Sequence, residues 1–450
     1  MEKTWDVAVI GGGLSGLGAA AFLGRAGLSA VVIEKARELG GRGRTTVEHG
    51  YSLNLGAHAV YRMGGAWAAL GELGVPLSGG IPLASGALAL TKNGAHTLPT
   101  GLLSMLTTGL LGLSGKLEVS RTLASMGKID PQALMGVSAR EWIDRTVGAV
   151  EARALLGGLL RVSTYTGDLE RLSAGAAITQ MQLALKYNVL YLDGGWQTMV
   201  DALRERAVAS GATILTGDGA AEVERADGDA AHPWRVRLGD GQRMKVRAAV
   251  IATGPHAAAA VAKSVPEVAR LAAQTTPVKV AVLDVALSSL PRKGRTFGLG
   301  TDRATYVSVH SAVARLAPEG GAVVHAMTYA PTGDAREDER EVEDAMDAVQ
   351  PGWRDHVVHK RFLPAMVAMN DLVSASRGGF EGRPDPAVAG APGLFLAGDW
   401  IGKKGMLLDA ALGSARQAAE ECAAMLAGSK GVTAANGRVR TEATRSAEMS

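Results

Sequence analysis

Cysteine is nearly missing from this chain: Cys422 is the only one in 450 residues. A single thiol excludes a disulfide framework and any zinc or iron–sulfur site built on cysteines. It also fits a reducing compartment, and the expected location is cytoplasmic. Aromatic residues are scarce, at 4%. Charge of one sign is missing too, since 47 Lys and Arg against 44 Asp and Glu leave a net +3. That balance offers no electrostatic footprint for nucleic acid as a partner. No hydrophobic run is long enough to span a membrane. The most apolar stretch, 100–115 (TGLLSMLTTGLLGLSG), is shorter than the roughly 20 residues required and contains Ser and Thr. Two readings of it stay open: a buried or lid helix, or a dip into a membrane surface that would make the protein peripheral. The first residues run straight into a strand, so no secretory signal is expected.

Glycine, by contrast, is abundant: 59 of 450 residues, against an average of about 7%. There is no Gly-X-Y period, so collagen is excluded. Many glycines in a chain that is 47% apolar and 20% charged point to tight turns and to backbone packed closely on a ligand. The length allows two or three globular domains.

Asp6 to Ile10 is a short apolar run that reads as a buried parallel strand, and it ends in Gly11-Gly12-Gly13. Helical spacing follows from Leu14 to Ala26, then Gly27, then a second buried strand, Ala30–Glu34. This is a βαβ unit. Residues 70–190 read as mainly helical with one polar run near Thr91–Thr100. A helix over 197–209 precedes strands at Thr213–Leu215, Ala221–Arg225, Trp234–Leu238, Arg243–Arg247 and Ala248–Ala252. From Pro277 the pattern changes to longer strands, Val278–Leu287, Thr305–Ser311, Ala322–Tyr329 and His356–Phe362, interrupted by a charged helix with a solvated face at Asp334–Val349. Pro392 to Asp399 is again a strand running into a glycine turn. An Ala-rich helix covers Asp409–Leu426, and the polar residues 428–450 read as a disordered tail.

Gly11-x-Gly13-x-x-Gly16 lies between strand and helix. Gly11 permits the tight turn, Gly13 the approach of a pyrophosphate, and Gly16 the close packing of helix on strand. The helix N-terminus adds free N–H groups and positive dipole potential. Glu34 closes the second strand eighteen residues past Gly16. A carboxylate there accepts hydrogen bonds from ribose hydroxyls and repels a 2′-phosphate. Together these features predict dinucleotide binding.

Six residues past Glu34 comes Gly40-Gly41-Arg42-Gly43-Arg44-Thr45. With the GxGxxGL start and the acid, this resembles the superfamily of flavin-containing amine oxidases, protoporphyrinogen oxidases and phytoene desaturases. Asn54-Leu55-Gly56-Ala57-His58 resembles the family segment that passes the flavin ring, Asp193-Gly194-Gly195-Trp196 its double-glycine turn, and Ala397-Gly398-Asp399 its C-terminal flavin motif. Where the family's last helix usually carries Ser-Gly, this chain has Ser414-Ala415, whose methyl could narrow the gap to the ring.

The resemblance implies an α/β fold: a Rossmann-type FAD-binding domain interleaved with an α+β substrate domain that contains a mainly antiparallel sheet. The FAD domain would take 1–70, 191–275 and 391–427, and the substrate domain 71–190 and 276–390. FAD would be held by Gly11, Gly13, Leu14, Ser15, Gly16, Glu34, Lys35, Gly41, Arg42, Ala57, His58, Val223, Gly398, Asp399, Leu407 and Leu408. Arg42 would lie near the phosphates, Asp399 near the ribityl or phosphate region, and Val223 at the adenine edge. The last helix would point its N-terminus at the flavin. No second dinucleotide motif is present, so electrons should come from the substrate and leave to oxygen or a quinone-type acceptor.

For catalysis the resemblance offers Lys279, which aligns loosely with the amine oxidases' strand lysine. His58 is a second candidate, on the substrate side of its turn. His310 shares a strand face with Tyr306 and Ser308, and His325 with Met327 and Tyr329. Such faces line a polar pocket, meet solvent or form cross-strand pairs. His356 and His359 fall on opposite faces of an extended segment, so no metal site is expected. Amine oxidases commonly frame the amine with aromatics, and Trp400 is the one evident candidate here. The Leu-, Ala- and Met-rich middle segment favours a hydrophobic small-molecule substrate that loses a hydride, as in phytoene desaturase or protoporphyrinogen oxidase. A small amine, a flavin-dependent isomerisation and a non-catalytic lipid carrier of the same fold are the alternatives.

Overall fold

A computed structural model describes residues 5–83, 85–226 and 228–447, with side chains up to residue 428. The fold is built on two seven-stranded sheets. In the first, the order is Thr213–Thr216, Ala30–Glu34, Trp5–Ile10, Arg243–Ile251, Trp234–Leu238, Ala220–Arg225, with Leu394–Leu396 beside the inner half of Arg243–Ile251. Trp5–Ile10 runs parallel to both neighbours. Its alternate residues serve two cores. Val7 and Val9 face the helices Leu14–Arg25, Gly65–Glu72, Gln197–Ala209 and the last helix, while Ala8 and Ile10 join Trp234, Trp400 and the residues around Ala258 and Val268. A parallel sheet covered on both faces needs such a continuous apolar run.

The two strands expected at Arg243–Arg247 and Ala248–Ala252 are one strand, Arg243–Ile251. Its outer half pairs antiparallel with Trp234–Leu238, and its inner half pairs parallel with Leu394–Leu396. The alternation of exposed and buried positions in the outer half hides the continuity.

The second sheet has the order Val357–Met369, Val278–Leu287, Ala322–Thr328, Thr305–Val309, Phe297–Gly300, Ala87–Thr91, Gly94–Thr97. It is antiparallel except where Phe297–Gly300 meets Ala87–Thr91. One face packs Leu283, Val285, Val307 and Val324 against Val342, Met346 and Val349 of the helix Ala335–Val349. The other carries Val280, Val282, Tyr306, Met327 and Tyr329 and meets Ala57. This second face joins the two halves of the molecule.

The stretch 70–190 is mainly helical, but it supplies the hairpin Ala87–Thr91/Gly94–Thr97 at the sheet edge. Lys92-Asn93 is its two-residue turn, closed by the Thr91–Gly94 pair inside the polar run. The apolar stretch forms the short helix Leu102–Thr107 and the start of Leu113–Ser125; Thr108, Leu111 and Gly115 are buried but most of its leucines are not. Leu102 is 80% exposed, Leu103 76%, Leu106 65% and Leu113 87%. These exposed leucines speak against a buried helix over the whole of 100–115, while the lid reading and the membrane-surface reading stay open. Neither helix has a wide enough apolar stripe to be covered on all sides. The last helix is Leu407–Ala447; the expected disordered tail, 428–450, falls almost wholly outside the residues whose side chains are described. No proline interrupts the ladder of that helix. Among the described residues no helix is long and apolar enough to cross a membrane.

Candidate active site

The glycine loop is held by contacts that only glycine allows. A Cβ on Gly16 would stand 1.8 Å from the Gly11 carbonyl oxygen, and Gly11 itself has φ +109°. A Cβ on Gly13 would meet nothing closer than 3.9 Å. Gly11 and Gly16 are thus needed by the protein's own packing, whereas the space beside Gly13 is free. The helix Leu14–Arg25 begins there with no side-chain cap and no acid in its first turn. Its orphan N–H groups call for another acceptor. Gly13 and Ser15 are half-buried, and Leu14 packs in the core. Glu34 accepts from Gly12 N at 2.7 Å and Ala36 N at 2.8 Å, which fixes the carboxylate at the loop and leaves lone pairs free. Lys35 beside it is exposed, and Gly217 N bonds the carbonyls of Glu34 and Ala36, drawing the chain before Ala220–Arg225 alongside. Val223, on that edge strand, is fully buried.

Gly40 N donates to Gly12 O at 2.8 Å, so Gly41 and Arg42 lie directly on the glycine loop. Arg42 does not reach outward. Its fork grips Asp399, Nη2 to Oδ1 at 2.9 Å and Nη1 to Oδ2 at 3.0 Å, and Nη1 also reaches Ala368 O at 3.2 Å. Asn370 donates to the same carboxylate through N at 3.1 Å and Nδ2 at 2.7 Å. Burial alone would raise the Asp399 carboxyl. The Arg42 guanidinium and the Asn370 donors outweigh it and hold the carboxyl below the usual range. Gly398 is tied to the last helix through Ser414 Oγ, which accepts from Gly398 N at 2.9 Å. Ala415 packs toward Gly18 of the first helix, so its methyl does not narrow the cleft. Leu407 opens the last helix with a positive φ of 54°, rare for a branched side chain, and Leu408 is buried.

The turn Asn54–His58 lies against the inner face of the second sheet. A Cβ on Gly56 would meet Met366 and Val282. Gly56 N faces Asp284 Oδ2 at 3.3 Å. His58 Nδ1 is 3.0 Å from Gly56 O, and a carbonyl only accepts, so Nδ1 carries the hydrogen and Nε2 is the acceptor. The ring stands edge-on to Trp196 at 4.4 Å. Burial pushes its pKa down to about 4, against the pull of the Gly56 carbonyl. His58 is therefore neutral near pH 7 and serves as a hydrogen-bond acceptor. Thr45 and Asn54 hold the start of the helix Gln197–Ala209: Gln197 N donates to Thr45 Oγ1 at 3.0 Å and Trp196 N to Asn54 Oδ1 at 2.9 Å. The Gly194-Gly195 turn thus seats Trp196 against His58.

Behind this turn is a polar cluster in which Asp284 and His325 are fully buried and Arg361 partly so. Asp284 bonds His325 Nδ1 at 2.6 Å and Arg361 at 2.6 and 3.1 Å. Burial would raise Asp284, but His325 and Arg361 hold it low. His325 Nε2 has no partner. His310 stacks on Tyr191 at 3.7 Å and stands edge-on to His325 at 4.6 Å. Tyr306, Phe297, Tyr329 and Tyr165 complete an aromatic wall, with centroid separations of 5.5 to 6.3 Å. The solvent-face reading of His310 and His325 is thereby excluded, since both are fully buried.

Not every expected residue reaches this place. Lys279 is exposed at the start of its strand, paired with Val367, whose carbonyl oxygen lies 3.5 Å from Arg42 Nη1. Trp400 is buried in the core of the first sheet with Nε1 on Thr253 O, so it frames nothing. His356 bonds Ser289, and no metal cluster occurs among the described residues. Cys422 is a buried free thiol. Sequence reasoning missed Asn370, Asp284, Arg361, Tyr165 and Arg383. Arg383 binds the carbonyls of Asp399, Lys404 and Gly405. A lone acid inside the apolar run Val278–Leu287 was the one available signal, because a buried charge needs a partner.

The sequence profile described as flavin containing amine oxidoreductase matches residues 14–423. Among curated proteins no relative matches. Of solved structures, an oxidoreductase from Methanosarcina mazei superposes with a TM-score of 0.73 at 18% identity, covering 92% of this chain and 99% of its own. Wild-type putrescine oxidase bound to putrescine gives 0.72 at 18% identity, with coverages of 94% and 99%. Cyclohexylamine oxidase from Brevibacterium oxydans IH-35A gives 0.67 at 16% identity, with coverages of 94% and 100%. The chain belongs to the flavin-containing amine oxidoreductase family. It is an oxidoreductase with FAD as its cofactor.

Proposed function

We propose that this family member dehydrogenates a neutral, hydrophobic small molecule, in the manner of desaturases and protoporphyrinogen oxidases. The uncapped helix at Leu14, the free space at Gly13 and the placed carboxylate of Glu34 fit a dinucleotide. In this reading Gly11, Gly13–Gly16, Glu34, Lys35 and Val223 hold the adenosine and phosphate end. Gly41, Arg42, Ala57, His58, Gly398, Asp399, Leu407 and Leu408 hold the flavin end. FAD, when bound, supplies a two-electron acceptor for a hydride. The Arg42–Asp399 pair fixes the loops that meet there, and the start of the last helix offers positive potential to developing negative charge.

One observation carries the substrate reading. The face that meets Ala57 is made of Val280, Val282, Met327, Tyr306 and Tyr329. The carboxylate on that face, Asp284, is already paired with Arg361 and hydrogen-bonded to His325. An ammonium group would find no free anion there among the described residues, whereas an apolar body would exclude water from the site. The aromatic wall favours a second reading, a small amine held by the tyrosine faces.

The test is anaerobic flavin reduction with panels of polyenes, porphyrinogens, cyclic amines and diamines. Bleaching by a polyene or porphyrinogen supports the first reading. Bleaching by amines alone replaces it with the second. A bound flavin that none reduces, together with product formed without acceptor, identifies an isomerase. Electrons are expected to leave to oxygen or a quinone-type acceptor. The exposed leucines at 102–113 are read as a peripheral contact with a lipid surface, from which an apolar substrate would be drawn.

A further inference from the structure

A cavity of about 420 Å³ lies beside the strand Phe297–Gly300 and shares Tyr191 and Phe297 with the aromatic wall described above. Leu83, Leu290 and Phe297 give it apolar walls, and Lys293 stands exposed at its outer end. Its deep end is polar. Tyr191 and Ser308 line it there, and they are only 4% and 2% exposed.

Those two hydroxyls belong to a chain. Ser308 Oγ lies 3.2 Å from Tyr191 OH, Tyr191 OH 3.3 Å from Tyr306 OH, and Tyr306 OH 3.5 Å from His310 Nε2. Each hydroxyl donates one hydrogen, so the chain points one way or the other along its whole length. If His310 Nε2 accepts, every hydroxyl donates inward and the Ser308 oxygen is left to accept from a ligand. If Nε2 donates, every hydroxyl turns and the Ser308 O–H is left to donate. Burial keeps His310 neutral, and its Nδ1 has no partner, so neither tautomer is fixed by a second bond.

We propose that this cavity binds an apolar ring compound through one oxygen, hydroxyl or carbonyl, with Ser308 as the direct partner and the Tyr191–Tyr306–His310 chain setting whether Ser308 donates or accepts. Apolar walls around a few convergent buried polar groups are what such a ligand requires. The inference goes beyond the reaction proposed above and does not depend on which compound reduces the flavin.

The experiment is calorimetric titration of the FAD-loaded full chain with 2-naphthol, 1-tetralone and naphthalene. Binding of both oxygenated probes is expected, and Ser308→Ala should weaken each about tenfold, the scale of one hydrogen bond, while leaving naphthalene unchanged. Ala312→Trp, at the exposed outer part of the cavity, should abolish binding of both. The visible flavin spectrum should stay constant throughout, which separates this site from the flavin cleft. The proposal is overturned if neither oxygenated probe binds, if Ser308→Ala affects naphthalene equally, or if Ala312→Trp binds as tightly as the native chain. Failure here would leave the outcome of the flavin-reduction panel untouched.

Discussion

Arg42 and Asp399 stand 357 positions apart in the chain and meet through two parallel N–H···O bonds of 3.0 and 2.9 Å. Each comes from a different glycine motif. One lies after the first βαβ unit and the other before the last helix, so the pair ties the beginning of the fold to its end. Removing one partner leaves the other with a buried or half-buried charge. Arg42→Met, which strands the buried Asp399 carboxylate, is expected to cost about 3 kcal/mol, Asp399→Ala less because the Arg42 side chain is 44% exposed, and both should lower flavin occupancy. Chemical denaturation together with the 450 nm absorbance per protein checks both. Full occupancy in either variant would remove Asp399 and Arg42 from the flavin end of the site.

Gly13 and Gly16 should separate cofactor binding from folding. Gly13 has φ −77° and open space beside it, so Gly13→Ala should leave the melting temperature of the flavin-free protein unchanged while weakening FAD binding. Gly16→Ala would drive a methyl into the Gly11 carbonyl and should destabilise the protein with or without FAD. Parallel melts and FAD titrations of the two variants distinguish these outcomes.

Asp409 predicts a specific pH dependence. It accepts from Ala66 N at 2.8 Å, and burial raises its pKa from 3.8 to about 6 despite the Ala66 and Gly65 N–H groups. A carboxyl whose pKa is raised by folding contributes stability below pH 4, and that contribution is lost as pH rises to about 6. Asp409→Asn should therefore flatten stability across pH 4–6, as measured by denaturant midpoints. An unchanged slope would show that Asp409 does not titrate there.

His58 should remain neutral down to about pH 5. Its imidazole Cε1–H resonance is expected to show no titration step near 6.5, since its pKa lies at about 4. A step near 6.5 would mean that the ring is hydrated and has left the Gly56 carbonyl.

The leucines of 102–113 should matter only at a lipid surface. Leu103→Glu with Leu113→Glu is expected to leave the melting temperature within about 0.5 kcal/mol equivalent, as exposed substitutions do, and to reduce co-sedimentation with phosphatidylglycerol vesicles. If the native chain does not sediment with such vesicles, or the double variant sediments equally, the surface reading fails.

By itself the sequence determined the βαβ unit and the glycine loop of the proposed nucleotide-binding half. Gly11, Gly13, Gly16 and Glu34 are close in the chain, and their roles follow from local backbone geometry that no distant contact has to supply. The same locality made the strands Ala30–Glu34 and Val278–Leu287 legible at their true ends. Only the tertiary structure decided what lines the proposed flavin site. Tyr165, Tyr306 and Tyr329 look sparse in a chain with 4% aromatics, yet they gather because a helix end and two strands converge on one sheet face. Lys279 and Asp284 lie five positions apart on one strand, yet one is exposed and the other is buried beside Gly56. A period of two gives two faces but not which one meets the active site, because that is settled by packing against residues hundreds of positions away.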